Sequence, residues 1–310
     1  MRISGLFAAL TTPYDSAGAV SLSGLKHNID LYNQTALAGF VALGSTGESV
    51  MLTREESDSI LVAVKEFAAP GKIVIAGTGA ESTAETIART RRAADLGYPL
   101  ALVKTPYYYK PVYRAENFLR HYRAVADASP IPIFLYSVPQ FTGIALETPE
   151  ILALSEHPNI IGIKDSSGVI QRVAEVVAGA NSSFRVLTGG AAVIYPALAV
   201  GARGAILALA SALPEKCAEI FECFQTGQHD RARELQLRVA QASRRIVSEG
   251  GIAAVKYVMD IRGYQGGLPR LPLLPLNEEK KQQIAAIISA LHPPRRPSNL
   301  ESGSACANLP

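Results

Sequence analysis

Lys164 has the clearest capacity for covalent chemistry in this sequence of 310 residues. It follows the apolar run 160–163, so the stem of its side chain must pass through apolar surroundings. A buried ammonium is costly, and a buried lysine responds with a lowered pKa. A neutral amine is the nucleophile that forms a Schiff base with a carbonyl substrate. The alternative is a structural lysine that points outward from the strand end or is neutralised by Asp165.

Tyr136 is a second candidate, because it ends another apolar run one strand-and-helix unit before Lys164. A phenol beside an amine can move the protons that Schiff-base formation and breakdown require. The alternative is an aromatic residue that only covers the end of a barrel. The consecutive residues Tyr107, Tyr108 and Tyr109 cannot all be core, so at least one of them should face an interface or the pocket.

Residues 44–47 form a candidate anion-binding loop. This stretch offers the hydroxyls of Ser45 and Thr46, and backbone N–H groups close to a helix start, which suit a carboxylate. The alternative is a loop that only turns the chain and caps the next helix. The loop lacks the Gly-Lys-Ser/Thr ending of a phosphate-binding Walker loop. Lys104 is a rival amine at another strand end, and the sequence does not decide its direction.

Composition argues against several classes of function. The five histidines have no other histidine or cysteine at ligand spacing, so no metal site is indicated. With 30 basic and 27 acidic residues, the chain shows no overall charge signature of a nucleic-acid binder. No apolar run reaches the roughly 18 residues of a membrane span, and the N-terminus resembles a signal peptide only superficially. We therefore expect a soluble, cytoplasmic protein.

The elements that must position these residues are short apolar runs alternating with amphipathic helical stretches. Most runs are continuous rather than alternating, as in strands buried on both faces. This alternation predicts a parallel sheet, and eight such units predict a closed (β/α)8 barrel over residues 1–212. A doubly wound open sheet is the alternative. The runs are GLFAALTTP, GFVALGSTG, KIVIAGTG, PLALVKTP, IPIFLYSVP, NIIGIKDS, FRVLTGG and ARGAILALA.

The pattern changes after the eighth run. Residues 213–292 are predicted to form a C-terminal helical region, with helices over 213–226, 228–249, 252–262 and 277–291. Residues 293–310 lack periodicity and are predicted to be a disordered tail. In a (β/α)8 barrel the chemistry lies at the carboxyl ends of the strands, and the candidate residues above all follow apolar runs. The sequence therefore predicts that they meet at one rim.

Four motifs together resemble the dihydrodipicolinate synthase/N-acetylneuraminate lyase family: GSTGE, TPYYYKP, YSVP followed by TG, and GIKDSSG. They occur in the order and spacing of that family. The resemblance implies a (β/α)8 barrel with C-terminal helices, usually assembled as a tetramer of two tight dimers. It also implies a class I aldolase or lyase, in which a lysine forms a Schiff base with pyruvate or a pyruvate-containing keto acid. No metal or organic cofactor is implied, and the partners are pyruvate and an aldehyde.

The resemblance also assigns roles to individual residues. Lys164 would form the Schiff base, and Tyr136 would move protons together with Thr46 and with Tyr108 of a neighbouring subunit. Ser45 and Thr46 would hold the pyruvoyl carboxylate. The predicted substrate-binding residues are Ser45, Thr46, Phe141, Ser166, Gly189 and Ile206.

Phe141 bears on the choice of substrate. It stands where dihydrodipicolinate synthases have an arginine that binds the carboxylate of aspartate semialdehyde, and a phenyl ring cannot make that bidentate contact. The phrases SPIPIFLYSVPQFTG and ALSEHPNIIGIKDSSG are most similar to 4-hydroxy-2-oxoglutarate aldolases, which release pyruvate and glyoxylate. Thr46 and Phe141 replace the asparagines expected in those enzymes. The favoured substrate is nevertheless 4-hydroxy-2-oxoglutarate.

Two alternatives remain. One is 4-hydroxy-tetrahydrodipicolinate synthase, which condenses pyruvate with aspartate semialdehyde in lysine biosynthesis. The other is a barrel that binds a keto acid without catalysis, since a fold alone does not establish a function.

Overall fold

The computed structural model describes residues 3–291, in which eight parallel strands close into a barrel. Each strand pairs with its neighbours in sequence, and pairing of the first with the eighth closes the sheet. This confirms the predicted (β/α)8 barrel and excludes the open sheet. The strands are β1 Gly5–Ala9, β2 Gly39–Ala42, β3 Ile73–Gly77, β4 Ala101–Lys104, β5 Ile133–Ser137, β6 Ile160–Asp165, β7 Arg185–Thr188 and β8 Gly204–Leu207.

Helices follow the strands and form the outer layer. Thr53 caps the second helix through a complete capping box with Glu56. Ser82 caps the third by accepting a hydrogen bond from the backbone N–H of Glu85. The helices of the barrel are α1 Leu22–Asn33, α2 Arg54–Phe67, α3 Thr83–Asp95, α4 Ala115–Ala128, the short α5 Pro139–Thr142, α6 Thr148–Ser155, α7 Ile170–Gly179 and α8 Ile194–Ala199.

Four α-helices follow β8 in the described part of the chain. The helices are α9 Pro214–Gln225, α10 His229–Ser243, α11 Gly251–Ile261 and α12 Glu278–Leu291. The helix predicted over 228–249 is divided, because a π-helical segment, Arg244–Glu249, continues α10. The predicted tail 293–310 lies outside the described residues. No helix within residues 3–291 is long and apolar enough to cross a membrane.

The strands present one face to the barrel interior and the other to the helices. Phe134 and Tyr136 pack inside the barrel, whereas Leu135 and Ile163 pack against the helices. Side chains alternate along a strand, so Lys164, which follows Ile163, takes the inner face. The alternation therefore directs the predicted Schiff-base lysine and the predicted proton-shuttling tyrosine to the same side of the sheet.

Candidate active site

Lys104, Tyr136 and Lys164 form a row across three neighbouring strands at the carboxyl end of the barrel. In the strand register Lys104 lies opposite Tyr136, and Tyr136 lies opposite Lys164. Adjacent strands are about 4.8 Å apart, so the tyrosine has one lysine close on either side. The rim that the sequence predicts as the site of chemistry thus holds two amines and a phenol.

Lys164 points into the barrel rather than outward. Its side chain is only 4% exposed, and its Nζ lies 4.1 Å from the centroid of the Tyr136 ring. Asp165 does not neutralise it: a carboxylate oxygen of Asp165 accepts a hydrogen bond from the N–H of Ser167 at 2.6 Å, and no ion pair involves Lys164 within residues 3–291. Lys164 is therefore neither a lysine that points outward from the strand end nor one that is neutralised by Asp165.

Tyr136 connects the lysine to the loop after β2. The phenol is buried, and its hydroxyl lies 3.4 Å from the hydroxyl of Ser45. The resemblance assigns the relay hydroxyl to Thr46, which is buried in the short 3-10 turn Ser45–Gly47. No hydrogen bond joins Thr46 to Tyr136 in the described part of the chain. Within one chain, the hydroxyl in reach of the phenol is that of Ser45.

The loop that carries Ser45 and Thr46 is anchored to α11 by a buried ion pair between Glu48 and Lys256. Glu48 ends the turn in the left-handed conformation, with φ at 54°, and its carboxylate lies 2.6 Å from the Nζ of Lys256 on α11. Burial lowers the pKa of Lys256, and the Glu48 carboxylate opposes that shift. Sequence reasoning missed this pair, although a lysine within the apolar stretch of α11 was a visible signal.

A cavity of about 420 Å³ opens beside Tyr136 and Ser45 and extends between α2 and α3. Lys104 lines this cavity, so the structure settles the direction that the sequence leaves open. Lys164 does not line it, but the Tyr136 ring both contacts Lys164 and lines the cavity. The other polar residues and glycines that line the cavity are Gly44, Ser49, Arg54, Glu55, Ser57, Asp58, Gly77, Thr78, Gly79, Arg89 and Arg92.

Three further predicted substrate-binding residues lie at the ends of β6, β7 and β8. A Cβ atom on Gly189 would stand 1.8 Å from the Oγ of Ser166, so the serine side chain fits only because the glycine has none. The N–H of Gly189 donates to the carbonyl of Asp165 at 2.6 Å, which fixes the two loops against each other. Ile206 is fully buried inside the barrel.

Two predicted site residues are not gathered around Lys164 within one chain. Tyr108 is 73% exposed, and its backbone N–H, like that of Tyr107, donates to the carboxylate of Glu81. Phe141 lies in α5, is 66% exposed and does not line the cavity. The phenyl ring of Phe141 therefore carries no charge that could bind a carboxylate, and it does not line the cavity beside Tyr136.

Comparison with known proteins places this geometry in a family. A family model described as the Dihydrodipicolinate synthetase family matches residues 2–291. The chain is 35% identical to a 4-hydroxy-tetrahydrodipicolinate synthase of Methanothrix thermoacetophila, over 93% of this chain and 96% of that protein. It is 34% identical to a protein of the same name from Exiguobacterium sp., over 94% of this chain and 99% of that one.

Solved structures agree with this assignment. A dihydrodipicolinate synthase from Bacillus anthracis superposes with a TM-score of 0.89 at 28% identity, covering 94% of this chain and 99% of that one. A dihydrodipicolinate synthase from Acinetobacter baumannii, solved in complex with pyruvate, has a TM-score of 0.88 at 31% identity, with 93% and 98% of the two chains covered. The chain therefore belongs to the dihydrodipicolinate synthetase family of class I aldolases.

Proposed function

We propose that this protein forms a Schiff base between Lys164 and pyruvate, or the pyruvoyl part of a larger keto acid. The observation that carries the proposal is the buried pair in which the Nζ of Lys164 lies 4.1 Å from the Tyr136 ring. A dry amine beside a phenol provides the nucleophile and a proton carrier in one place. The pyruvate complex of the Acinetobacter relative supports the choice of keto acid.

In the direction of cleavage, the proposed reaction begins at the C2 carbonyl of the keto acid. The Nζ of Lys164 adds to this carbonyl, and water leaves to give an iminium. The C3–C4 bond then breaks, its electron pair moves into the iminium to give an enamine, and the C4 hydroxyl loses its proton as the aldehyde departs. Protonation at C3 and hydrolysis release pyruvate and the free amine. Condensation is the reverse, and Tyr136 is placed to carry protons in either direction.

Ser45 and Thr46 are the proposed binding groups for the pyruvoyl carboxylate. Their turn has backbone N–H groups and two hydroxyls, of which that of Ser45 lies 3.4 Å from the Tyr136 hydroxyl, and such a set of donors suits an anion. We also propose that the active unit is a tetramer of two tight dimers, in which the exposed Tyr108 reaches the site of a neighbouring subunit.

For the aldehyde partner we propose aspartate semialdehyde as the first candidate. The relatives compared above carry the name 4-hydroxy-tetrahydrodipicolinate synthase, and they match nearly the full length of both chains. These names support aspartate semialdehyde, the alternative substrate in the sequence-based prediction, better than 4-hydroxy-2-oxoglutarate, the substrate which that prediction favoured.

Glyoxylate, released from 4-hydroxy-2-oxoglutarate, is the second candidate. The observation that favours it is Phe141, which replaces the expected arginine and projects into solvent. A site without that arginine loses a charge-assisted contact to aspartate semialdehyde, worth about 1.5–3 kcal/mol.

Borohydride reduction with pyruvate, followed by peptide mass mapping, tests the proposed function. We expect a pyruvate adduct on the peptide that contains Lys164, and none in Lys164→Ala. Pyruvate bound without any reducible adduct would contradict the proposal and favour a keto-acid-binding barrel without catalysis. Turnover with aspartate semialdehyde and with 4-hydroxy-2-oxoglutarate, measured side by side, then decides between the two partners.

A further inference from the structure

We infer that Lys104 binds the carboxylate of the aldehyde substrate and thereby determines which aldehydes this aldolase accepts. The inference rests on the proposed function, because it concerns the second substrate of the same site. It applies to aspartate semialdehyde and to glyoxylate alike, since each carries a carboxylate.

Lys104 is the cation of the cavity that no carboxylate neutralises. In the described part of the chain, four cationic side chains line the cavity, and three of them form ion pairs. The pairs are Arg54 with Glu85 at 2.6 Å, Arg89 with Glu85 at 2.8 Å and Arg92 with Asp58 at 2.6 Å. No ion pair within residues 3–291 involves Lys104.

The acid that acts on Lys104 is Glu81, and one oxygen of its carboxylate is engaged elsewhere. Its Oε2 accepts hydrogen bonds from the N–H groups of Tyr107 at 2.9 Å and Tyr108 at 2.8 Å. An ammonium has three N–H donors, and that of Lys104 uses one, to the carbonyl of Gly79 at 3.1 Å. Burial lowers the pKa of Lys104, with Glu81 opposing the shift. An anion in the cavity would offset this cost of burial.

The position of Lys104 fits the carboxylate of a second substrate. A keto acid attached to Lys164 has its reacting carbons near Tyr136, and Lys104 lies on the strand at the other side of that tyrosine. Gly79 makes room for the lysine stem, because a Cβ there would stand 2.8 Å from the Cγ of Lys104. Phe141, at the position of the family's arginine, is exposed outside the cavity.

Lys72 shows what a structural lysine looks like in this barrel. It precedes β3, at the opposite end of the strands, and its Nζ donates to the carbonyls of Thr35 and Leu37, both at 2.7 Å. Burial lowers its pKa as it does that of Lys104. Lys104 donates to a single carbonyl, at the longer distance of 3.1 Å, and faces the cavity. Lys72 is therefore a matched control, a partly buried lysine at the other end of the barrel.

The first test compares Lys104→Met with Lys72→Met in the full-length protein. We expect both variants to form the pyruvate adduct on Lys164. In Lys104→Met, kcat/KM for aspartate semialdehyde or glyoxylate should fall about 10- to 100-fold, as for loss of a charge-assisted hydrogen bond. The value for acetaldehyde, which has no carboxylate, should change less than about threefold. Lys72→Met should leave all these values unchanged, and Lys104→Arg should recover most of the loss.

Equal losses for charged and uncharged aldehydes, or no loss for either, would overturn the inference. Absence of the pyruvate adduct from the unmutated protein would instead contradict the proposed function, so the two failures are distinguishable.

A second measurement uses the unmutated protein and therefore does not depend on how a variant folds. 2-Oxoglutarate can form the Schiff base but lacks the C4 hydroxyl that cleavage requires. In a crystal soaked with it, we expect the C5 carboxylate within hydrogen-bond distance of the Nζ of Lys104. A carboxylate held by other groups, with Lys104 still bound to Gly79 alone, would overturn the inference.

Discussion

The carboxylate of Glu48 and the ammonium of Lys256 lie 2.6 Å apart, with side chains that are 1% and 0% exposed. Glu48 also accepts a hydrogen bond from the N–H of Arg270 at 2.8 Å, and Lys256 donates to the carbonyl of Leu268 at 2.9 Å. The pair thereby joins the loop that carries Ser45 to α11 and to the segment that follows it. Part of the C-terminal region thus supports the loop of the candidate active site directly.

Removing one member of this pair should be strongly destabilising. In Lys256→Met the buried carboxylate of Glu48 loses its counter-ion, and such a loss costs about 3–5 kcal/mol. We expect the free energy of unfolding, measured by urea titration, to fall by that amount. Lys26→Met is the control, because Lys26 pairs with Asp30 at the surface, where an ion pair contributes about 1 kcal/mol or less. A loss in Lys256→Met no larger than that of the control would contradict the argument.

Tyr136→Phe should separate the proton-moving role of the phenol from its packing role. The variant keeps the ring beside Lys164 and removes the hydroxyl that lies 3.4 Å from Ser45. We expect kcat to fall about 10²- to 10⁴-fold, the usual contribution of a positioned acid or base. The control is Tyr98→Phe, which removes a buried hydroxyl bound to the carbonyl of Leu61. That variant should lose about 1 kcal/mol of stability and keep its kcat. Unchanged kcat in Tyr136→Phe would exclude the phenol as the proton carrier.

The sequence was sufficient to predict the barrel, because eight apolar runs fix the strands. It was insufficient for the direction of the two strand-end lysines, Lys164 and Lys104, because each follows a continuous apolar run that does not show which face of the strand lies inside the barrel. Only the resemblance to the family favoured an inward Lys164. The pairing of Lys256 with Glu48 was also beyond the sequence, since the two residues meet only through the packing of α11 against the barrel. Local pattern thus predicted the candidate site residues, whereas the contacts that support them depend on long-range packing.

His121 should make the protein less stable in mild acid. Burial lowers its pKa to about 4, with Glu81 opposing the shift and Lys104 adding to it. Between this value and the ordinary value of about 6.5, the unfolded chain binds a proton that the folded chain does not, so stability falls as the pH falls. Between about pH 7 and about pH 5, this shift lowers the free energy of unfolding by about 2 kcal/mol.

Urea titrations at these two pH values check the prediction for His121. His121→Asn keeps a polar atom for the hydrogen bond that the Nδ1 of His121 makes with Thr83 at 3.0 Å, and it removes the titrating group. We expect this variant to lose about 2 kcal/mol less stability than the unmutated protein on acidification. His229→Asn, which changes an exposed histidine on α10, should behave as the unmutated protein does. Identical acid sensitivity in His121→Asn and the unmutated protein would show that His121 is not responsible.

The close approach of Gly189 and Ser166 should make Gly189→Ala destabilising, and removal of the Ser166 side chain should restore the lost stability. In Gly189→Ala the new methyl group would stand 1.8 Å from the Oγ of Ser166, so the ends of β6 and β7 must move apart. Overpacking of this kind costs about 1–3 kcal/mol, and it should also weaken pyruvate trapping, because both residues are predicted to bind the substrate. Gly190→Ala is the matched control, since its methyl group would make only an ordinary contact, 3.4 Å from the Cγ2 of Val193. Ser166→Gly combined with Gly189→Ala should restore most of the stability by removing the clashing side chain. If the double variant were as unstable as Gly189→Ala alone, the close approach of these two residues would not be the cause.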